Sequence, residues 1–289
     1  MSRVSIIITT FNKWELTWHT LDSLYRTCPR DELELILVDN GSSDRTLELA
    51  PSFDTVIHNE VRQNLARSIN LGVAASTGSL VGIFNNDLCV LTRDWIEPLR
   101  TAANNAGEAA IMALMVEGAQ PSPELYELLG FISNANRAGV CYAAPVQMHL
   151  EMACTFFPRS LLARIGLFDE ALPLWYHHQD YFIRMRSSGV PILRLMNCFI
   201  RHLGSVTIGV ARQSPHTEEM LRTEYARFCA RYSAEYLSTL GLVLPPFGPY
   251  DLVPDTETVF TSEQLNAARV LALFGVNHDE QSHRAVGPE

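Results

Sequence analysis

The chain has 289 residues, 47% of them hydrophobic and 19% charged, and a formal net charge of −10. That length buries a sizeable core in one or two domains, and the composition is that of an ordinary globular protein. The acidic balance argues against a general nucleic-acid or anionic-membrane surface, and no apolar run reaches membrane-spanning length.

Six cysteines (Cys28, Cys89, Cys141, Cys154, Cys198, Cys229) show no C-x-x-C spacing. Scattered thiols of this kind fit reduced core or surface positions better than zinc or disulfides. The chain passes from Met1-Ser2-Arg3 straight into a strand-like run too short for a secretory apolar region. A cytoplasmic location is therefore the expectation.

In chain order, the β-branched run Val4–Thr9 predicts a buried parallel strand. Trp14, Trp18, Leu21 and Leu24 follow at helical spacing, with the tryptophans expected in the core. Leu33–Val38 predicts a second strand, and Asn40-Gly41 marks a turn. Ser43 or Asp44 then caps a helix carrying Leu47 and Leu49. Thr55–His58 is a third strand, Leu65, Ile69 and Val73 define the next helix, and residues 80–84 form a fourth strand. The alternation predicts a parallel, doubly wound α/β sheet.

That fourth strand ends in Asn85-Asn86-Asp87. In open α/β sheets, ligands bind at the carboxyl ends of strands. Asp87 offers a carboxylate and Asn85 an amide oxygen on the same side of an extended chain, donors suited to Mg²⁺ or Mn²⁺. An ordinary turn has the same composition, and both readings stay open on these residues alone.

Further on, a helix is expected over Trp95–Ala102 and a strand over Ile111–Val116. Residues 117–148, punctuated by Pro121, Pro123, Gly130 and Gly139, read as a long irregular insertion, either substrate loop or plain surface loop. Strand material follows at Cys154–Phe157, then a short helix from Pro158, and a helix from Tyr181 to Ser188. Ile192–Leu195 and Cys198–Ile200 supply further strands. Leu221, Tyr225, Phe228, Tyr232 and Tyr236 form a stripe on a helix over His216–Leu240, and Gln264–Phe274 a last helix. The reading divides the chain into a catalytic domain, 1–215, and a helical C-terminal extension, 216–289. The stripe is expected to pack on the catalytic domain or on a second subunit, making a homodimer.

Five motifs, ordered between Arg3 and Gly209, resemble the family-two glycosyltransferases. Val4–Asn12 is similar to the opening strand that usually ends in Pro-Thr-Tyr-Asn. Leu37–Asp44, Asn64–Gly72, Asn85-Asn86-Asp87 and Gly166-Leu167-Phe168-Asp169-Glu170 match the later motifs, the third of these in place of the D-x-D motif. The resemblance implies a GT-A fold, which is Rossmann-like, doubly wound and mainly parallel. It also implies an inverting, metal-dependent hexosyl or deoxyhexosyl transfer from a nucleotide-diphospho-sugar, with UDP- or dTDP-sugars expected. The acceptor would be a glycan or another hydroxyl compound, in glycan or polysaccharide biosynthesis.

By the same resemblance, Asp87 binds Mn²⁺ or Mg²⁺ at the diphosphate, and His202 in His202-Leu203-Gly204-Ser205 completes the metal site. Asn85, replacing the first aspartate, is a weakened metal partner. Thr10, Phe11, Asn12, Asp39, Arg67, Asn70, Asn85 and Asn86 line the donor pocket. The general base is expected in a Glu-Asp-x-Asp segment, here His177-His178-Gln179-Asp180, with Arg184 fixing the register. Asp180 and His178 are the candidates. This departure from the family pattern also motivates an alternative, a catalytically silent nucleotide-sugar-binding module.

Overall fold

The computed structural model describes residues 2–117, 123–146, 152–173, 175–202 and 215–243. One sheet of nine strands organises it. In chain order these are β1 (Val4–Thr10), β2 (Leu33–Asp39), β3 (Thr55–His58), β4 (Leu80–Asn85), β5 (Leu88–Val90), β6 (Ala110–Glu117), β7 (Ala143–Val146), β8 (Cys154–Pro158) and β9 (Ile192–His202). Strands β3-β2-β1-β4 are parallel neighbours, as the alternating pattern predicts. Beyond β4 the sheet is mixed: β8 runs antiparallel to β4 and β6, while β6 is parallel to β9. β5 and β7 both pair antiparallel with β9, near its two ends.

The helices are α1 (Trp14–Thr27), α2 (Leu65–Ala75), α3 (Ile96–Ala106), α4 (Pro123–Arg137), α5 (Arg159–Ile165), α6 (Tyr176–Ser187), α7 (Pro215–Arg231) and α8 (Ala234–Thr239). One sheet face packs Ile6, Ile8, Leu35 and Phe84 against Leu21 and Leu24 of α1 and Ile96 and Leu99 of α3. The other packs Ile7, Ile36, Val81 and Ile83 with Ile69 of α2, Leu161 of α5, Tyr181 of α6 and Phe228 of α7. Gly72 lets α2 lie against β1, because a Cβ there would collide with the Ile7 side chain.

Several expectations are corrected. Trp18 is 41% exposed, and the buried side of α1 is instead Thr17, Thr20, Leu21, Ser23, Leu24 and Thr27. Those hydroxyls all find partners: Thr17 at Thr10, Thr20 at the Asn86 and Leu88 carbonyls, Ser23 at the Val90 N–H, and Thr27 at the Ser23 carbonyl of its own helix. A polar stripe is thus buried without penalty. Residues 45–52 wind as a 3-10 helix rather than an α-helix, with Asp44 as the cap accepting the Thr46 N–H at 3.0 Å. The 117–148 stretch holds a fifteen-residue helix, α4. Pro123 is tolerated at its first position, and Leu125, Leu128 and Ile132 bury against Leu114, Met196 and Phe199.

α6 starts at Tyr176, so His177–Asp180 is helical rather than a loop ahead of a helix. β9 is a single strand, and it contains a bulge: Ala113 pairs with Leu195 but Leu114 pairs with Phe199. Buried Asn197 anchors the bulge, donating to Asn136 Oδ1 at 2.8 Å and accepting the Tyr142 N–H. Its carbonyl accepts the Thr92 hydroxyl at 2.9 Å.

The helix expected over His216–Leu240 breaks after Arg231, where Ser233 caps α8 by accepting the Tyr236 N–H. Phe228 and Tyr232 bury against the same core as α6, so the stripe packs on the catalytic unit. The expected helix over Gln264–Phe274 lies outside the described residues. No described helix is long and apolar enough to cross a membrane.

Candidate active site

Loops at the carboxyl ends of β1, β2 and β4 converge. The first two are stapled together: Asn12 N–H donates to Ser42 Oγ at 2.7 Å, Ser43 N–H to Asn12 Oδ1 at 2.9 Å, and Trp14 N–H to Asp44 Oδ2 at 3.1 Å. Burial opposes ionisation of Asp44, but the Thr46 hydroxyl and the Trp14, Thr46 and Lys13 N–H groups outweigh it and hold the carboxyl below its usual range. Asn12 and Lys13 both adopt left-handed backbone angles, with φ of 55° and 61°. Two such non-glycine residues cost about 1 kcal/mol or more each, and strain of this kind clusters at ligand-binding turns. Phe11 beside them carries the Arg62 guanidinium 4.2 Å from its ring centre.

Asp39, at the end of β2, is fully buried. Its carboxylate accepts the Ser42 N–H at 3.2 Å and the Ser42 hydroxyl, and lies 2.8 Å from His58 Nδ1. Next to it Asn40 Oδ1 accepts from Ser68 and Asn59. Gly41 makes the turn at φ +81°, where a Cβ would come 2.9 Å from the Asn59 carbonyl.

Arg67 and Asn70, both on α2, face the Gly166–Glu170 loop. Asn70 donates to the Phe168 carbonyl at 2.9 Å and to Glu170 Oε1 at 3.0 Å, and accepts the Phe168 N–H at 3.0 Å. Arg67 pairs with Glu170 Oε2 at 3.1 Å. These residues join two of the sequence motifs, and Asn70 is committed to holding the loop.

Asp87 sits in the turn after β4. Asn86 anchors that turn by donating to Thr10 Oγ1 at 3.1 Å and Thr17 Oγ1 at 3.3 Å. The Thr20 hydroxyl lies 2.9 Å from the carbonyls of Asn86 and Leu88 and accepts the Leu88 N–H at 3.1 Å. Thr10 and Asn86 thus brace the turn from within the core. In the β5–β9 ladder Leu88 pairs with His202, which brings His202 Nε2 to 3.2 Å from Asp87 Oδ1.

Both side chains are nearly buried, and no group of three metal-ligating side chains occurs among the described residues. The pair offers one carboxylate oxygen and one imidazole nitrogen, donors that could hold part of a divalent cation's shell. Mg²⁺ and Mn²⁺ commonly complete their shells with phosphate oxygens and water, so two protein donors would suffice for such an ion. Asn85, in register with Thr9, is half-buried at the end of β4, its backbone N–H held by the Ala153 carbonyl.

The two base candidates have different surroundings. Asp180 is fully buried and accepts from Arg184 Nε at 2.8 Å, Arg231 Nη1 at 2.6 Å and Tyr232 Oη at 2.7 Å. A carboxylate so engaged clasps α6 to α7, with three of its four or so acceptor positions taken and no exposed surface, so the expectation that it acts as base does not fit this geometry. His178 is half-buried in the first turn of α6, its ring 5.7 Å from that of Trp175. His177 is fully buried, and burial pushes its pKa down to about 4 against a partial pull from Asp180, so it is neutral at physiological pH.

The sequence reading missed the α7 side chains. Glu224, 1% exposed, accepts the N–H groups of Trp175 and Tyr176 at 3.0 Å, and Arg227 donates to the Ala171 carbonyl at 3.0 Å. Arg231 bridges Asp180 and Asp169. A carboxylate four residues before Phe228, on the buried stripe of an amphipathic helix, was the available signal. A cavity of about 360 Å³ lined by Pro173, Glu219, Met220, Thr223, Glu224 and Arg227 lies beside this cap.

Comparison with known proteins agrees with the motifs. Residues 5–136 match the family described as Glycosyl transferase family 2. A PGL/p-HBAD biosynthesis glycosyltransferase of Mycobacterium tuberculosis is 39% identical over 209 residues, covering 68% of this chain and 74% of that protein. Glycosyltransferase AglE of Haloferax volcanii is 31% identical over 101 residues, or 32% of this chain, and the match spans only 33% of AglE. Among solved structures, GalNAc-T7 with UDP, GalNAc and Mn²⁺ superposes with a TM-score of 0.61 at 15% identity, covering all of this chain and 59% of that one. The mannosyltransferase PcManGT of Pyrobaculum calidifontis, in complex with GDP-Man and Mn²⁺, gives 0.55 at 17% identity, covering all of this chain and 76% of that one. Sequence motifs, sheet order and relatives agree: this chain is a glycosyltransferase with the GT-A fold and belongs to glycosyl transferase family 2.

Proposed function

We propose that the protein transfers a sugar, with inversion, from a nucleotide-diphospho-sugar to an acceptor hydroxyl, and that Asp87 and His202 hold a divalent cation. The observation that carries this reading is the Asp87–His202 pair, joined by the β5–β9 ladder at the carboxyl end of β4. Mn²⁺ or Mg²⁺ bound there would offset the charge of the departing nucleoside diphosphate. Two solved neighbours contain Mn²⁺ with UDP or GDP-Man, which supports a nucleotide donor. UDP- or dTDP-sugars remain the donors proposed here.

The chain's own residues supply the rest. The stapled loops around Phe11, Asn12 and Asp39 would receive the nucleoside, with Phe11 and Arg62 offering a flat surface to the base. Arg67, pairing with Glu170 across exposed ground, lies on α2, whose Ser68 bonds Asn40 of the loop after β2. His178 is the proposed base. It takes the acceptor hydroxyl proton as that oxygen bonds to the anomeric carbon, and the anomeric bond to the diphosphate oxygen breaks with its electron pair leaving on the diphosphate.

Incubation with Mn²⁺ and a panel of nucleotide sugars should give transfer or donor hydrolysis that Asp87→Ala and excess chelator both abolish. Full activity in either case rejects the metal role. The replacement of Glu-Asp-x-Asp by His177-His178-Gln179-Asp180, with Asp180 locked in a clasp, favours one alternative, a nucleotide-sugar binder without turnover. Nucleotide binding with no turnover across the panel would select it.

A further inference from the structure

α6 begins without a capping side chain of its own. Trp175 stands at the cap position, where serine, threonine, aspartate or asparagine would satisfy the first N–H groups. Glu224 of α7 instead takes the two N–H groups at the very start of the helix, both carboxylate oxygens lying 3.0 Å from the Trp175 nitrogen and one of them 3.0 Å from that of Tyr176. Two helical turns further on, Arg231 at the end of α7 and Tyr232 just past it grip Asp180, one turn into α6. Between these grips Phe228 packs on Tyr176, ring centres 5.0 Å apart. α7 therefore holds both ends of the segment that carries His178.

We propose that Glu224, Arg231 and Tyr232 are positioning residues for the transfer, fixing the first turn of α6 so that the His178 imidazole meets the acceptor hydroxyl. The inference rests on His178 as the base. Removing one grip leaves α6 formed but its first turn free to fray, since an uncapped N-terminus loses its first N–H partners. Donor binding is assigned to loops after β1, β2 and β4, whereas the Glu224 and Tyr232 hydrogen bonds run to the start of α6. Arg231, which also pairs with Asp169 of the loop held by Asn70, is left intact in the test. The effect should therefore fall on turnover and not on nucleotide affinity.

Glu224→Gln tests this in the full chain, because glutamine keeps the size and one acceptor oxygen. The expected result is a kcat lowered about tenfold or more, with UDP affinity within about twofold of the parent. Amide hydrogen exchange should quicken at residues 175–180 and not in β1–β4. Tyr232→Phe, which removes only the hydroxyl on Asp180, should show the same split and replaces Glu224→Gln if that variant does not fold. His178→Ala, as control, should lose turnover without faster exchange. Unchanged kcat, unchanged exchange at 175–180, or equal losses of kcat and UDP affinity with exchange raised throughout would each overturn the proposal. A parent protein that turns over no donor defeats the transferase reading instead, and the exchange data still decide whether α7 holds the turn.

Discussion

Tyr232 donates its phenol hydroxyl to Asp180 Oδ1 at 2.7 Å, closing a buried site already occupied by two guanidinium groups. The carboxylate is enclosed by donors, whereas His178, two residues earlier, is half-buried with its ring against Trp175. Neighbouring positions on one helical turn thus hold a locked structural carboxylate and the proposed base.

Substitution separates the two. His178→Ala is expected to lower kcat by about 10²–10⁴-fold, the usual contribution of a general base, with little change in melting temperature. Asp180→Asn should instead lower stability by about 2 kcal/mol, less than the loss from a fully buried pair because Arg231 is 44% exposed. Steady-state kinetics beside thermal denaturation checks both.

The Asp87–His202 pair gives a binding prediction independent of turnover. Mn²⁺ should raise the melting temperature in the presence of UDP, since a ligand that binds only the folded state stabilises it. Asp87→Asn or His202→Ala should remove that shift and lower activity by about 10²-fold or more. An undiminished Mn²⁺ shift in both variants would place the cation elsewhere.

His177 sets an acid dependence of stability. Its folded pKa of about 4 lies below the ordinary value of 6.5, so between those pH values the unfolded chain binds more protons than the folded one. The stabilisation is fully present above pH 6.5 and is lost as pH falls through the window to about 4, an effect on the order of 3 kcal/mol. Asp54 adds a second, lower window. Burial opposes its ionisation, but the Leu35 N–H and the guanidinium groups of Arg3 and Arg30 outweigh this and bring its pKa to about 2. That contribution is present above about pH 4 and fades as pH falls towards 2. Denaturant melts of His177→Phe should lose the upper slope and keep the lower one.

Arg194 on β9 is buried, and its Nε and Nη2 have no hydrogen-bond partner among the described residues. An uncompensated buried charge is costly, and methionine fills similar volume without it. Arg194→Met is expected to raise stability by about 1–3 kcal/mol, measured by urea denaturation.

The half of the sheet that binds the nucleotide in the proposed reading was legible because each element there is local. β-branched runs end in polar turns, and Asn12, Asp39 and Asp87 fall at those ends. The second half was harder. Pro123 and Gly130 suggested a loop where α4 forms, because its burial depends on Leu114, Met196 and Phe199 from distant strands. The Trp14 and Trp18 spacing suggested the wrong face of α1, since Thr17 and Thr20 bury only by meeting Asn86 and Leu88. The Asp180 clasp needed Arg231 and Tyr232 from beyond the recognised motifs, and no short-range pattern announces a pairing between separate helices.

The Asn197 bulge has a consequence for phase. Side chains on a strand alternate between faces, so without interruption Ile192, Ile200 and His202 would all point the same way. The three extra residues, Met196–Cys198, reverse the alternation: Ile192 packs with the α6 face and Ile200 with the α1 face. His202 follows Ile200 and so meets Asp87. Deleting one residue of the bulge would turn the imidazole to the opposite side of the sheet with every proposed ligand still present in the sequence. An odd number of residues in a bend, held by one asparagine, decides whether the two halves of the proposed metal pair face each other.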